Sequence, residues 1–128
     1  MTGLGFERAP RPRGPIVDRL SARGFTIDGT RYPAVLLTPE AAYPWTPPPL
    51  DALGAGDLAP LLELAPPIEF LLLGTGAAMA MAPRALSQAL AGRDIVVEAM
   101  DSRAAARTWA ILRGEDRWIG AALMPLQA

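Results

Sequence analysis

Glu69-Phe70-Leu71-Leu72-Leu73-Gly74-Thr75-Gly76 decides the fold class. Phe70 to Leu73 is an unbroken apolar run with no alternation, the pattern of a strand covered on both faces. Gly74 and Gly76 end it with backbone freedom. A small, apolar Ala/Met stretch follows, and Pro83 suits the first turn of a helix. Leu86 and Leu90, one turn apart, form the buried side of that helix, and Gly92 closes it. Ile95 to Glu98 reads as the next buried strand. A helix between two such strands makes a parallel, right-handed crossover unit, the inside of a small α/β domain.

Downstream, Asp101-Ser102 caps a further helix over Arg103 to Leu112, with Ala105, Trp109 and Leu112 on its inner side and Gly114 at its end. Trp118 to Met124 is the last strand, where Gly120, Ala121 and Ala122 leave room for close helix packing. Upstream, Phe25 to Tyr32 carries Asp28-Gly29 between two β-prone runs. That dipeptide predicts a two-residue hairpin turn, since both central positions need positive φ. The second arm is expected to run through Ala34 to Leu37, with Pro33 at a sheet edge or bulge because it lacks a ladder donor. Asp57 is expected to cap a helix over Leu58 to Leu64, which Pro66-Pro67 stops. Tyr43-Pro44-Trp45 leads into Thr46-Pro47-Pro48-Pro49, a stiff connector across the surface. The alternative reading of that connector is a polyproline ligand for an aromatic groove. Residues 1–15, rich in Gly, Pro and Arg, are expected to form a loose arm, and 16–128 a single domain without internal repeats.

The chain has 128 residues, with 51% hydrophobic and 20% charged residues, which places it in the globular range. A net charge of -1 provides no field for a nucleic-acid backbone. All 12 cations are Arg, and Cys, His and Lys are absent. Disulfides, thiolate nucleophiles and Cys-ligated zinc are thereby excluded. So are a Ser-His-Asp arrangement, a Schiff base and a P-loop lysine. A catalyst would have to run on carboxylates, Arg, Tyr and backbone amides, so the expectation is a protein that is not an enzyme and needs no cofactor or metal. The stretch Phe70 to Ala82 would reach roughly 20 Å as a helix against the roughly 30 Å core of a bilayer. The N-terminus lacks the apolar run of a secretory signal. A cytoplasmic protein is expected.

Two constellations stand at the C-terminal ends of the parallel strands, where open α/β sheets bind ligands. Gly74-x-Gly76 with Glu98 is similar to half of a dinucleotide site, but the third glycine position is Met79, and Pro83 starts the helix too late for its amides to meet a phosphate. Asp101, Ser102, Arg103 and Arg107 form the second. Cations in the first turns oppose the helix dipole by a few tenths of a kcal/mol each, a placement that points to an ion pair with Asp101 or Glu98, or to an anionic partner. Met79 and Met81 among alanines are either a soft surface for a partner or core filling under the Tyr43–Trp45 loop. The candidate binding residues are therefore Gly74, Thr75, Gly76, Met79, Met81, Glu98, Asp101, Ser102, Arg103 and Arg107.

Asp28-Gly29 and its following strand, Glu69 to Gly76, Val97 to Ser102, Ala105-x-Arg107-Thr108 and Ala121 to Pro125 stand in one order and spacing. Together they resemble the respiratory complex I assembly factor 3 family, over about Ile16 to Pro125. The resemblance implies a three-layer α/β fold with a central mixed sheet, helices packed on it, one strand antiparallel and the hairpin in the same domain. It also implies a non-catalytic role: binding other proteins during assembly of the NADH:ubiquinone oxidoreductase at the inner membrane, with an association to the translocation machinery in some bacteria. Ser102 (commonly Thr), Ala106 (commonly Cys) and Trp109-Ala110 (commonly Tyr-Asn) depart from the family pattern; the missing Cys argues that no thiol chemistry is required. The leading expectation is a protein-binding accessory factor using the Gly74–Met81 loop and the Arg103/Arg107 edge. The alternative is a small-ligand or nucleotide-binding protein using the crevice near Gly74, Gly76 and Arg107.

Overall fold

The fold was obtained as a computed structural model, which describes residues 14–127. The expected N-terminal arm lies outside the described residues except at its end. There Pro15 is buried and its carbonyl accepts the indole N–H of Trp109 at 2.8 Å.

Strands β1 (Arg19–Ser21), β2 (Gly24–Ile27) and β3 (Thr30–Tyr32) form an antiparallel three-stranded sheet. Asp28 and Gly29 turn β2 into β3 with φ of 50° and 81°, the two positive values that this turn demands. The second arm does not continue through Leu37. At Pro33 the chain leaves the hairpin, and β4 (Val35–Leu37) joins a different sheet. A residue without an N–H donor suits that break in the ladder.

The five-stranded sheet adds β5 (Ala42–Pro44), β6 (Phe70–Gly74), β7 (Val96–Met100) and β8 (Gly120–Leu123), in the order β5-β4-β8-β6-β7. β6 runs parallel to β7 and β8, whereas β4 is antiparallel to both of its neighbours. The sheet is mixed, with β4 as its one reversed strand. Helices are α1 (Ala59–Leu62), α2 (Arg84–Ala91) and α3 (Ser102–Gly114). The crossover through α2 moves outward from β6 to β7, and the one through α3 returns past β6 to β8. Opposite directions of travel put the two helices on opposite faces.

Packing follows from that arrangement. Leu71 and Leu73 join Leu36, Ala122, Leu58, Leu61, Leu86 and Leu90 on the α2 face. Leu72 joins Val35, Leu37, Ala121, Leu123, Phe25 and Trp109 on the α3 face. Alternate residues of β6 thus serve two cores, which is why its sequence shows no polar alternation.

Two local expectations are corrected. β7, expected as a buried strand from Ile95, starts at Val96 and is the edge of the sheet, with Val96 62% exposed, because only β6 lies beside it and one face of it is left to solvent. Asp57 caps no seven-residue helix: its carboxylate accepts the amide of Gly54 at 2.9 Å within a 3-10 turn over Ala55–Leu58. α1 begins only at Ala59, because Pro60 belongs in a first turn rather than an interior. Helices α2 and α3 do end at Gly92 and Gly114 as expected, but neither glycine is left-handed. The left-handed positions are Asp94 (φ 61°) and Asp116 (φ 60°), a residue type that tolerates that region.

Candidate functional site

The residues at the C-terminal edge of the sheet fall into one register row, Met100, Gly74, Leu123, Val35 and Pro44 from β7 across to β5. The β6/β7 end of that row is closed by a hydrogen-bonded knot. Ser102, fully buried, accepts the amide of Gly76 at 2.8 Å and donates its hydroxyl to the carbonyl of Met124 at 2.8 Å. Its own amide donates to the carbonyl of Gly76 at 2.8 Å, and the amide of Met124 donates to that of Gly74 at 2.9 Å. One serine side chain therefore holds the ends of three strands, because a hydroxyl can donate and accept at once. A Cβ on Gly74 would lie 2.8 Å from Ser102 Oγ and 2.9 Å from its Cα, so the glycine is required by close approach.

Thr75 anchors the loop that leaves β6. Its amide donates to Met100 O at 2.8 Å. Its hydroxyl donates to Ala78 O at 2.7 Å and accepts the amide of Ala80 at 3.0 Å. The amides of Thr75, Gly76 and Ala80 are thus taken within the chain, and they offer no cradle to a phosphate.

Beyond this anchor the loop presents apolar surface. Met79 is 60% and Met81 83% exposed, so neither fills a core under the Tyr43–Trp45 loop. Met81 borders an open groove of about 550 Å³ with Leu50, Asp51, Pro83, Arg84 and Ala85. Asp101 caps α3, its Oδ1 accepting the amide of Ala104 at 2.9 Å. Arg103 and Arg107 are exposed on α3. Neither forms the expected ion pair with Asp101 or Glu98 among the described residues. Arg107 borders a separate hollow with Val17, Asp18, Arg19 and Leu20. Glu98 is exposed on the edge strand β7. The structure therefore gathers Gly74, Thr75, Gly76, Asp101 and Ser102, while Met81 and Arg107 border different hollows.

Sequence reasoning missed two features. Glu69 accepts Arg117 Nη2 at 2.9 Å and the amide of Trp118 at 3.1 Å, and Arg117 sits 5.6 Å from the Phe70 ring centroid. The hydrogen bond from Arg117, then that from Trp118, holds the Glu69 carboxyl below its ordinary value of 4.5. At the β4/β5 end of the register row lies a groove of about 390 Å³ lined by Tyr32, Pro33, Pro44, Trp45, Pro47 and Pro125, with Arg31 beside it. A tryptophan set among prolines was its visible signal. No group of three or more His, Cys, Asp or Glu that could hold a metal occurs among the described residues, and no helix there is long and apolar enough to cross a membrane.

Comparison with known proteins adds the family. Residues 17–124 match the family described as protein of unknown function DUF498/DUF598. An uncharacterized protein of Rhodobacter capsulatus is 39% identical over 92 residues, 72% of this chain and 68% of that one. The NADH dehydrogenase [ubiquinone] 1 alpha subcomplex assembly factor 3 of Mus musculus is 34% identical over 126 residues, 97% of this chain and 68% of its own. A Bordetella parapertussis protein of known crystal structure superposes with a TM-score of 0.79 at 30% identity, covering 91% of this chain and 99% of that one. The chain belongs to the DUF498/DUF598 family, and with it to the family of the complex I assembly factor 3 proteins.

Proposed function

We propose that the protein is a non-catalytic assembly factor that binds other proteins while respiratory complex I, or another inner-membrane complex, is put together. The observation that carries this reading is the pair Met79 and Met81, 60% and 83% exposed on a loop held at its base by Thr75. Flexible, polarizable thioethers on a fixed platform adapt to apolar partner surfaces. Arg103 and Arg107, without ion pairs among the described residues, supply charge-assisted contacts to partner carboxylates at the neighbouring edge. The chain's lack of Cys, His and Lys and the mouse relative's name favour the same reading. Asp101 and Ser102 serve it indirectly, by fixing the start of α3.

The test is capture of complex I subunits from a membrane extract by the tagged full chain. Double substitution of Met79 and Met81 by Ser, and separately Arg107→Glu, should abolish capture while urea midpoints stay near wild type. Undiminished capture by both variants would overturn the assignment of this surface. A measured turnover on any metabolite would overturn the non-catalytic reading.

A further inference from the structure

We infer that the groove at the β4/β5 end of the sheet is a docking site for an extended, proline-rich segment of another protein that carries acidic residues. The inference rests on hydrogen-bond donors that the fold leaves open. Three tryptophans are present. Trp109 donates its indole N–H to the carbonyl of Pro15 at 2.8 Å, and Trp118 donates to that of Pro66 at 2.7 Å. Trp45 has no acceptor among the described residues, and its nitrogen is not buried. The hydroxyl of Tyr32 is likewise without a partner there.

Both donors border a wall of prolines, Pro33, Pro44, Pro47 and Pro125. Such a surface suits a polyproline II ligand, whose rings pack on aromatic and proline faces and whose unpaired carbonyls accept N–H and O–H donors. The molecule displays that contact twice within itself, at Trp109–Pro15 and Trp118–Pro66, so the open indole lacks only an acceptor of the same kind. A preformed extended ligand loses little chain entropy on docking.

Charge selects among possible occupants. Arg31 borders the groove, is exposed, and has no ion pair among the described residues. It favours a ligand with a carboxylate beside its prolines. The chain's own proline-containing start carries Arg8, Arg11 and Arg13 against one acid, Glu7; its net positive charge opposes Arg31, so the occupant is assigned to a partner.

The experiment follows the three indole N–H signals of the full-length, 15N-labelled chain by NMR. The ligands are a short proline-rich peptide with terminal glutamates, the same peptide with terminal arginines, a glycine-serine peptide with terminal glutamates, and a peptide of residues 1–13. The expected result is a saturable shift of the Trp45 signal with the glutamate-proline peptide, and weaker binding of the other three. Trp45→Phe should weaken binding by roughly threefold to tenfold, the effect of losing one neutral hydrogen bond, with the Trp109 and Trp118 signals retained. Arg31→Glu should reverse the preference between acidic and basic peptides. The inference falls if millimolar glutamate-proline peptide leaves the Trp45 signal unmoved, or if the glycine-serine peptide binds as tightly. It also falls if Trp45→Phe changes nothing, or if residues 1–13 or the arginine peptide bind best.

Discussion

The two ends of one register row, Met100 to Gly74 on one side and Val35 to Pro44 on the other, use their polar groups in opposite ways. Around Gly74 and Gly76, donors and acceptors meet inside the chain through Ser102 and Thr75, and the backbone is buried. Around Trp45 and Tyr32, aromatic rings are partly buried against the two cores, yet their donors stay open. The crevice beyond parallel strands is where α/β sheets commonly bind, yet here the β6/β7 part of it is taken up by internal hydrogen bonds, and the two surfaces we propose for recognition lie to either side. A polar motif at a favoured position becomes a site only if its groups remain unbonded.

The largest test of the closed half is Ser102→Ala, which strands the amide of Gly76 and the carbonyl of Met124 in a buried place. Urea unfolding should show a loss of about 2–4 kcal/mol, the sum for two orphaned polar groups, and Ser102→Thr, keeping the oxygen, should retain most of it. Near wild-type stability of Ser102→Ala would mean the knot is not structural. Gly74→Ala comes next: the added methyl meets Ser102 backbone 2.9 Å away, and overpacking of this kind costs about 1–3 kcal/mol. Thr75→Val should cost about 1 kcal/mol globally but release the loop, read as faster amide exchange at Ala80.

Trp45→Phe, on the open half, loses no internal hydrogen bond and only part of the packing of this ring against the α2-face core, so it should cost no more than about 1 kcal/mol in urea unfolding. A larger loss would show that the indole is structural and erase the contrast. The smallest effect is expected at the other end of β6, where Arg117 and Trp118 depress the Glu69 pKa. A carboxylate whose folded pKa is lowered adds stability above its unfolded value of 4.5, and that addition is lost as pH falls through the folded value. Glu69→Gln should therefore remove a slight acid-side slope from the stability curve below pH 4.5 and leave the neutral-pH fold intact.

Much of the architecture was legible where one residue or a short period decides it. Asp28-Gly29 required positive φ twice, Leu86 and Leu90 marked a helix face, and Asp101 was read as a cap. Errors arose where two local signals competed. Asp57 reads as a cap, while Pro60, three residues later, determines where α1 can begin. Pro33 suggests a sheet edge or bulge within one hairpin arm, whereas it is the point where the chain changes sheets. The site was less legible because Gly74, Gly76 and Ser102 look alike whether their groups bind a ligand or one another.

From the amino-acid sequence alone came the buried strand β6, the crossover unit, the turn chemistry and the absence of Cys, His and Lys, because backbone sterics, hydrophobic period and residue inventory are local properties. Tertiary structure decided which polar groups are used up. Gly76 finds Ser102 across 26 residues and Ser102 finds Met124 across 22, whereas Trp45 finds no acceptor among the described residues. A hydrogen bond between distant segments depends on how sheets and helices pack, and no local pattern records it.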